Sequence, residues 1–180
     1  MQALREKIGQ MIMVGCQGES LSREERLLFA EYQFGGVILF RRNCSAARQI
    51  VSLCRELWDG AADRPPFIAI DAEGGNVHPL PQPFSHFPPA AVIGARGDPQ
   101  LAYRAGRATA AELALAGINL NFAPVLDVNS SPCNPIIGAR AFSADPKSVA
   151  TMALTWVRPS ALRYSGHRAS TTSISRSCSR

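Results

Sequence analysis

The chain has 180 residues, of which 46% are hydrophobic and 18% are charged, as is ordinary for a soluble globular domain. Its net charge of +5 comes almost entirely from the end of the chain: positions 1–158 carry 15 basic and 14 acidic residues, whereas positions 159–180 carry four arginines and no acid. We therefore expect no nucleic-acid-binding face. No apolar run approaches the roughly 20 residues of a membrane helix, so we expect no membrane partner.

The five cysteines are scattered and form no CxxC pair, so the sequence predicts neither a zinc site nor a disulfide framework. We expect no metal and no cofactor. A reducing cytoplasm is the simplest location for such a chain.

Apolar segments alternate with helical patterns along the chain, with glycine or proline beside each apolar segment. This alternation predicts an α/β fold of four consecutive βα units, with parallel strands and right-handed crossovers. The predicted strands are 8–15, 37–40, 67–70 and 118–123, and the predicted helices are 22–32, 45–58, 98–117 and 145–158.

Four polar residues mark the starts of the predicted helices. Ser22, with Glu25 three residues later, forms a capping box, and Ser45 is placed to cap the second helix. Asp98 and Asp145 are each followed by proline, the residue favoured at the first helical position.

The segment FIAIDAEGGNV (67–77) is the most informative one for function. Its short apolar run predicts a strand buried on both faces, and Asp71 stands at the exit of that strand. Because ligand-binding groups collect at the carboxyl ends of parallel strands, we expect Asp71 to accept hydrogen bonds from a polyol ligand. The alternative is that Asp71 only pairs with a neighbouring arginine or caps a turn.

Arg140 lies in a loop of about 20 residues between Pro124 and Asp145, and loops of that length are often binding loops. Its guanidinium can donate several hydrogen bonds to a ligand, although residue type alone favours a solvated surface arginine. Asn119 and Asn121 also allow two interpretations. They are either amides that face a ligand or interior amides that only hold loops, and the second is favoured.

The three histidines lack the spacing of metal ligands. His78 and His86 fall in a proline-rich loop, so we expect both on the surface. His167 falls in the Ser- and Arg-rich segment 159–180, which we expect to be disordered because it has few large apolar groups to bury.

Six sequence segments, taken together and in order, resemble the N-terminal catalytic barrel of glycoside hydrolase family 3. The likeness is strongest to the cytosolic β-N-acetylglucosaminidases of bacterial peptidoglycan recycling. The segments are IGQMIMVG (8–15), GGVILFRRN (35–43), IAIDAEGGNV (68–77), FPPAAVIGA (87–95), GINLNFAPVLDVN (117–129) and NPIIGARAF with ADP (134–146).

The resemblance implies a partial (β/α)8 TIM-type barrel over residues 1–158, about the first four βα units, followed by a non-family tail at 159–180. It implies retaining hydrolysis of terminal β-linked N-acetylglucosamine, from a small carbohydrate or muropeptide substrate. Carried over by motif, Asp71 is similar to the family's aspartate that binds sugar hydroxyls. Arg140, in IGAR, matches the family's substrate-binding arginine.

The chain also departs from the family pattern. Asn76 and Pro79 stand where the family usually has arginines, and nothing after Arg158 matches the KHFPGHG segment that supplies the acid/base histidine. The family's nucleophilic aspartate lies still further along. We therefore assign no catalytic residue and expect a truncated or frame-shifted, inactive chain.

Three outcomes remain open at the level of the sequence. The chain is a hydrolase fragment, a non-catalytic carbohydrate-binding relic, or the unfolded product of a damaged gene. Because half a barrel leaves two sheet edges unpaired, self-association through those edges is also expected.

Overall fold

The computed structural model describes residues 2–61, 64–131 and 133–158. The strands in these ranges are β1 (Met13–Gly15), β2 (Gly36–Leu39), β3 (Phe67–Ile70) and β4 (Leu120–Asn121). The α-helices are α1 (Gln2–Gly9), α2 (Arg23–Tyr32), α3 (Ala47–Asp59), α4 (Ala90–Ala95), α5 (Pro99–Ala116) and α6 (Pro146–Val157). Two 3₁₀ turns, at Arg41–Asn43 and Gly138–Arg140, complete the regular structure.

The strands form one parallel sheet in the order β1-β2-β3-β4, the same order as along the chain. Val37 pairs with Val14 on one side and with Ile68 on the other, which sets the register of the first three strands. The predicted α/β fold, built from parallel βα units, is confirmed.

The two outer strands are shorter than predicted. Residues 8–15 were expected to form a strand, but α1 runs to Gly9 and only Met13–Gly15 joins the sheet. The main chain just after α1 still makes a turn, because Met11 N donates a hydrogen bond to Ile8 O at 3.0 Å. At the other edge only Leu120–Asn121 is a strand, although residues 118–123 were predicted.

The helix starts follow the predicted caps, with one exception. The Ser22–Glu25 capping box is present, and Asp98 and Asp145 each accept a hydrogen bond from the first turn of the helix that follows. Ser45 is not a cap: α3 begins at Ala47, because the Gln49 side chain accepts a hydrogen bond from the Ser45 main-chain N–H and holds residue 45 outside the helix.

Helix α4 was not predicted, and it packs closely because of a glycine. A Cβ built on Gly94 would lie 1.8 Å from the carbonyl oxygen of Phe142. Gly106 in α5 makes a similar approach to α6, where a Cβ would lie 2.1 Å from the carbonyl oxygen of Trp156. These two contacts tie α4, α5 and the 142–156 segment into one layer.

Two apolar clusters stabilise this arrangement. The first lies between the sheet and helices α3 and α5, and the second joins α4, α5 and α6. Large side chains fully buried in the first are Val37, Leu39, Ile50, Leu53, Ile68, Ile70 and Ile118. None of the helices in the described ranges combines the length and apolarity needed to cross a bilayer.

Within the described ranges, β1 and β4 each have a strand neighbour on one side only. Apolar side chains near both edges are solvent-exposed: Met11 is 87% exposed beside β1, and Phe122 is 46% exposed beside β4.

The predicted disordered tail, residues 159–180 with His167, lies outside the described residues, so that prediction and the domain boundary at residue 158 stay predictions.

Candidate functional site

Asp71 and Arg140 meet at the carboxyl end of the sheet. Asp71 directly follows β3 and is half-buried, and Arg140 closes the 3₁₀ turn Gly138–Arg140 in the long loop after β4. Arg140 Nε donates to Glu73, two residues after Asp71, which holds the arginine at the exit of β3. The fold therefore brings the two predicted site residues into one region.

Arg140 is held by Glu73, a residue that was not predicted to belong to the site. Arg140 Nε donates to Glu73 Oε2 at 2.9 Å, and Arg140 Nη2 donates to Glu73 Oε1 at 2.7 Å. The two side chains therefore form a bidentate ion pair. The Glu73 side chain is only 8% exposed. Its hydrogen bonds raise the pKa of the Arg140 guanidinium above the usual value. Arg140 is thus not the freely solvated surface arginine that residue type alone favoured.

Asp71, by contrast, makes no side-chain hydrogen bond to any residue that the structure describes. Burial raises the pKa of its carboxyl, the charge of Glu73 raises that pKa further, and Arg140 opposes both effects. A half-buried carboxylate whose acceptor oxygens are not used within the described chain is suited to bind a ligand that donates hydrogen bonds.

The loop after Asp71 turns tightly on glycine. Gly74 has a φ of +93°, a conformation that side chains with a Cβ rarely adopt, and it lies against the main chain of Phe87 and Pro88. Glu73 N donates to Val77 O at 3.0 Å across this turn. The turn fixes the direction in which Glu73 leaves β3.

Asn119 and Asn121 hold β3 in place. The amide oxygen of Asn119 accepts a hydrogen bond from Ile68 N at 2.7 Å, and that of Asn121 accepts one from Ala72 N at 2.9 Å. The favoured interpretation of these residues as interior amides with a structural role is confirmed. Asn121 acts directly beside Asp71, so it fixes the main chain on which Asp71 sits.

A cleft of about 110 Å³ opens beside the Glu73–Arg140 ion pair. The 73–76 loop and Arg140 form one wall, and Ile93, Phe142 and Trp156 form an apolar one. Asn76, which stands where the family usually has arginine, is part of the first wall. The cleft is smaller than the several hundred Å³ of a typical small-molecule site, so it can hold part of a sugar ring.

A larger cavity, of about 360 Å³, lies between α2 and α3 at the opposite end of the sheet. It contains the Arg26–Glu56 ion pair and is closed by Phe34 and Pro66, just before β2 and β3. It is lined by neither Asp71 nor Arg140, whereas the smaller cleft is lined by Arg140 but not by Asp71, so cavity size alone does not locate the site. The carboxyl end is the better candidate, because the unbonded carboxylate and the fixed arginine lie there.

His78 was predicted on the surface, and that prediction is wrong. It is only 6% exposed, because Arg41 Nη2 donates to the His78 carbonyl oxygen at 2.9 Å and holds the segment against the 3₁₀ turn after β2. The His78 ring packs on that of His86 with 4.1 Å between centroids, and His86 is exposed as predicted.

The residues that the structure describes include no cluster of His, Cys, Asp and Glu able to hold a metal ion.

Comparison with known proteins decides the family. Residues 3–166 match the sequence model described as the glycosyl hydrolase family 3 N terminal domain. The chain belongs to this family. The match extends past residue 158, where the resemblance in the sequence was expected to end.

Curated relatives agree with this family. The chain is 38% identical over 154 residues to a protein of Stenotrophomonas maltophilia named beta-hexosaminidase, an alignment that covers 82% of this chain and 45% of the relative. A Xylella fastidiosa protein of the same name is also 38% identical, with the same coverage. The chain therefore spans somewhat less than half the length of these relatives.

Solved structures of the family share the fold. A glycoside hydrolase family 3 β-N-acetylglucosaminidase from a Paenibacillus species is 40% identical, with a TM-score of 0.84 over 87% of this chain and 30% of that chain. Native NagZ from Neisseria gonorrhoeae is 33% identical, with a TM-score of 0.78 over 83% of this chain and 45% of that chain. The parallel sheet described above is thus part of a TIM-type barrel.

Proposed function

We propose that this chain carries the sugar-binding half of a β-N-acetylhexosaminidase site. In this proposal it binds the terminal β-linked N-acetylglucosamine of a small carbohydrate or a peptidoglycan fragment in the cytoplasm. Asp71 accepts hydrogen bonds from sugar hydroxyls, and Arg140 donates to them. No residue of the chain is assigned as acid/base or nucleophile, so we expect binding without hydrolysis by the 180-residue chain alone.

One observation carries the proposal. Arg140, contributed by a distant loop, is held at the exit of β3 beside Asp71, while Asp71 keeps its acceptor oxygens free of the described chain. A fixed guanidinium can donate hydrogen bonds to the hydroxyl oxygens of a polyol. A nearby carboxylate with free acceptor oxygens can accept hydrogen bonds from hydroxyl groups of the same ligand. The apolar wall of the adjacent cleft is suited to the CH face of a sugar ring.

The expected affinity is low. Charge-assisted hydrogen bonds contribute about 1.5–3 kcal/mol each, so two such groups give binding of about millimolar strength or weaker. Saturation-transfer NMR with N-acetylglucosamine measures binding in this range. Asp71→Ala and Arg140→Ala should each remove the signal, whereas Glu112→Gln, which disturbs the hydrogen bonds to Ser85 and leaves the Glu73–Arg140 pair in place, should retain it.

Hydrolysis of an aryl N-acetylglucosaminide by the same preparation tests the second half of the proposal. We expect no turnover, because general acid–base catalysis contributes roughly 10²–10⁴-fold and no group is assigned to it. Turnover that disappears in Asp71→Ala would contradict the absence of a catalytic group. Unchanged sugar binding in both alanine variants would contradict the site itself.

A further inference from the structure

We propose that Glu73 is a positioning residue of this sugar site: it holds the guanidinium of Arg140 in one orientation and keeps it off Asp71. The inference rests on the function proposed above. It assigns Glu73 a role that neither its residue type nor its place in the EGG segment indicated. Glu73 itself need not touch the sugar.

The orientation follows from a count of donors. A guanidinium has five N–H groups. Arg140 uses Nε and one N–H of Nη2 on Glu73, and one N–H of Nη1 on the Ile136 carbonyl oxygen at 3.3 Å. Two N–H groups remain, one on each terminal nitrogen. Glu73 therefore selects which edge of the guanidinium can meet a pair of sugar hydroxyls.

The holding group is itself well fixed. Glu73 is almost fully buried, and the turn at Gly74 sets its main chain. Arg140 is about one-third exposed and has a long side chain, so without a partner it would sample many rotamers. Fixing it before the ligand arrives lowers the entropy cost of binding.

The second part of the role is electrostatic. Arg140 interacts with three carboxylates, those of Glu73, Asp127 and Asp71, but donates hydrogen bonds only to Glu73 among the described acidic residues. If Glu73 loses its charge, the guanidinium is attracted to the remaining two. If the Arg140 guanidinium rotated toward Asp71, it would donate to the carboxylate oxygens that the sugar needs. Asp71 could then no longer accept hydrogen bonds from the sugar.

The test uses Glu73→Gln, which keeps the size of the side chain and removes its charge. Three quantities are measured: the NMR signal of the Arg140 Nε–H, the pKa of Asp71 from its ¹³C carboxyl resonance, and the affinity for N-acetylglucosamine. We expect the Nε–H signal to lose its protection from exchange, the pKa of Asp71 to fall, and the affinity to drop about tenfold. Glu73→Asp, which restores the charge, should recover part of all three.

Glu112→Gln is the matched control, because it removes a partly buried carboxylate charge that accepts hydrogen bonds from Ser85 and not from Arg140. It should leave all three quantities unchanged. Arg140→Gln removes the same ion pair from the other side and should raise the pKa of Asp71, the opposite of the change in Glu73→Gln. If Glu73→Gln does not fold, Glu73→Asp supplies the test, because its shorter carboxylate should still weaken the hydrogen bond from the Arg140 Nε–H and lower its protection from exchange.

Unchanged protection of the Arg140 Nε–H in a folded Glu73→Gln overturns the positioning role. So does unchanged sugar affinity in a folded Glu73→Gln. A different pattern separates the two proposals: if the wild-type chain binds no sugar while the Arg140 Nε–H loses its protection in Glu73→Gln but not in Glu112→Gln, Glu73 positions Arg140 and the proposed function is wrong.

Discussion

Acid should destabilise this chain through one side chain, His78. The ring is buried, and its Nε2 atom has no hydrogen-bond partner among the described residues. Burial, together with the neighbouring His86, lowers the pKa of His78 to about 4. Glu112 acts in the opposite direction, and Arg41 adds a smaller lowering effect. The folded state therefore holds a neutral imidazole where the unfolded chain would accept a proton.

The sign and size follow from linkage. Between its unfolded pKa of 6.5 and its folded pKa of about 4, the unfolded state binds more protons, so the free energy of unfolding falls as the pH falls. One pKa unit corresponds to about 1.4 kcal/mol, which gives a total near 3 kcal/mol and about 2 kcal/mol between pH 7 and pH 5. That is a large share of a typical stability of about 5–15 kcal/mol.

Urea unfolding at micromolar protein concentration, followed by tryptophan fluorescence at pH 7, 6 and 5, measures this loss. His78→Gln cannot titrate, so its free energy of unfolding should vary about 2 kcal/mol less over that range than the wild type's. His86→Gln is the control and should keep most of the slope, since burial is the main cause. Asp145, whose pKa the Ser148 hydrogen bonds lower, titrates below this window. Equal slopes in wild type and His78→Gln would refute the reasoning.

Three further predictions concern the fold. Gly106→Ala should lower the urea midpoint strongly, because the new Cβ would lie 2.1 Å from a main-chain oxygen of α6. Gly18→Ala should have little effect, because its new Cβ would lie 3.7 Å from the carbonyl oxygen of Ser20. Asn119→Ala removes the acceptor of the Ile68 N–H and should cost about 1–3 kcal/mol, with faster amide exchange at that N–H. Sedimentation should show concentration-dependent association through the sheet edges, and Phe122→Lys should reduce it by placing a charge there; a monomer at all concentrations would contradict this.

The sequence predicted best what is determined locally. The Ser22–Glu25 capping box, the caps Asp98 and Asp145, and the proline at the first position of α5 and α6 are all read within a few residues, and each is present. The alternation of these elements was enough to predict the parallel sheet. The meeting of Asp71 and Arg140 at one end follows from that topology, because loops after parallel strands share an edge.

What the sequence did not predict depends on contacts between distant segments. Glu73 was given no role because its partner lies 67 residues away, and nothing in the EGG segment indicates which side chain will bind it. His78 is buried because Arg41, in the turn after β2, donates a hydrogen bond to the His78 carbonyl oxygen and holds that main chain against the turn. The first strand was placed too early because an apolar pattern as short as residues 8–12 fits a helix end as well as a strand.

The order of the sheet has a consequence for how the chain folds. Because each strand pairs with the strand that precedes it in the sequence, no strand has to wait for a later one before it finds its first partner. The sheet can grow from β1 onward as the polypeptide leaves the ribosome, with α2, α3 and α5 covering each new pair in turn. Of the described strands β4 is added last, and Asn119 and Asn121 then accept hydrogen bonds from Ile68 N and Ala72 N, so the exit of β3 gains these bonds only when synthesis has passed Asn121.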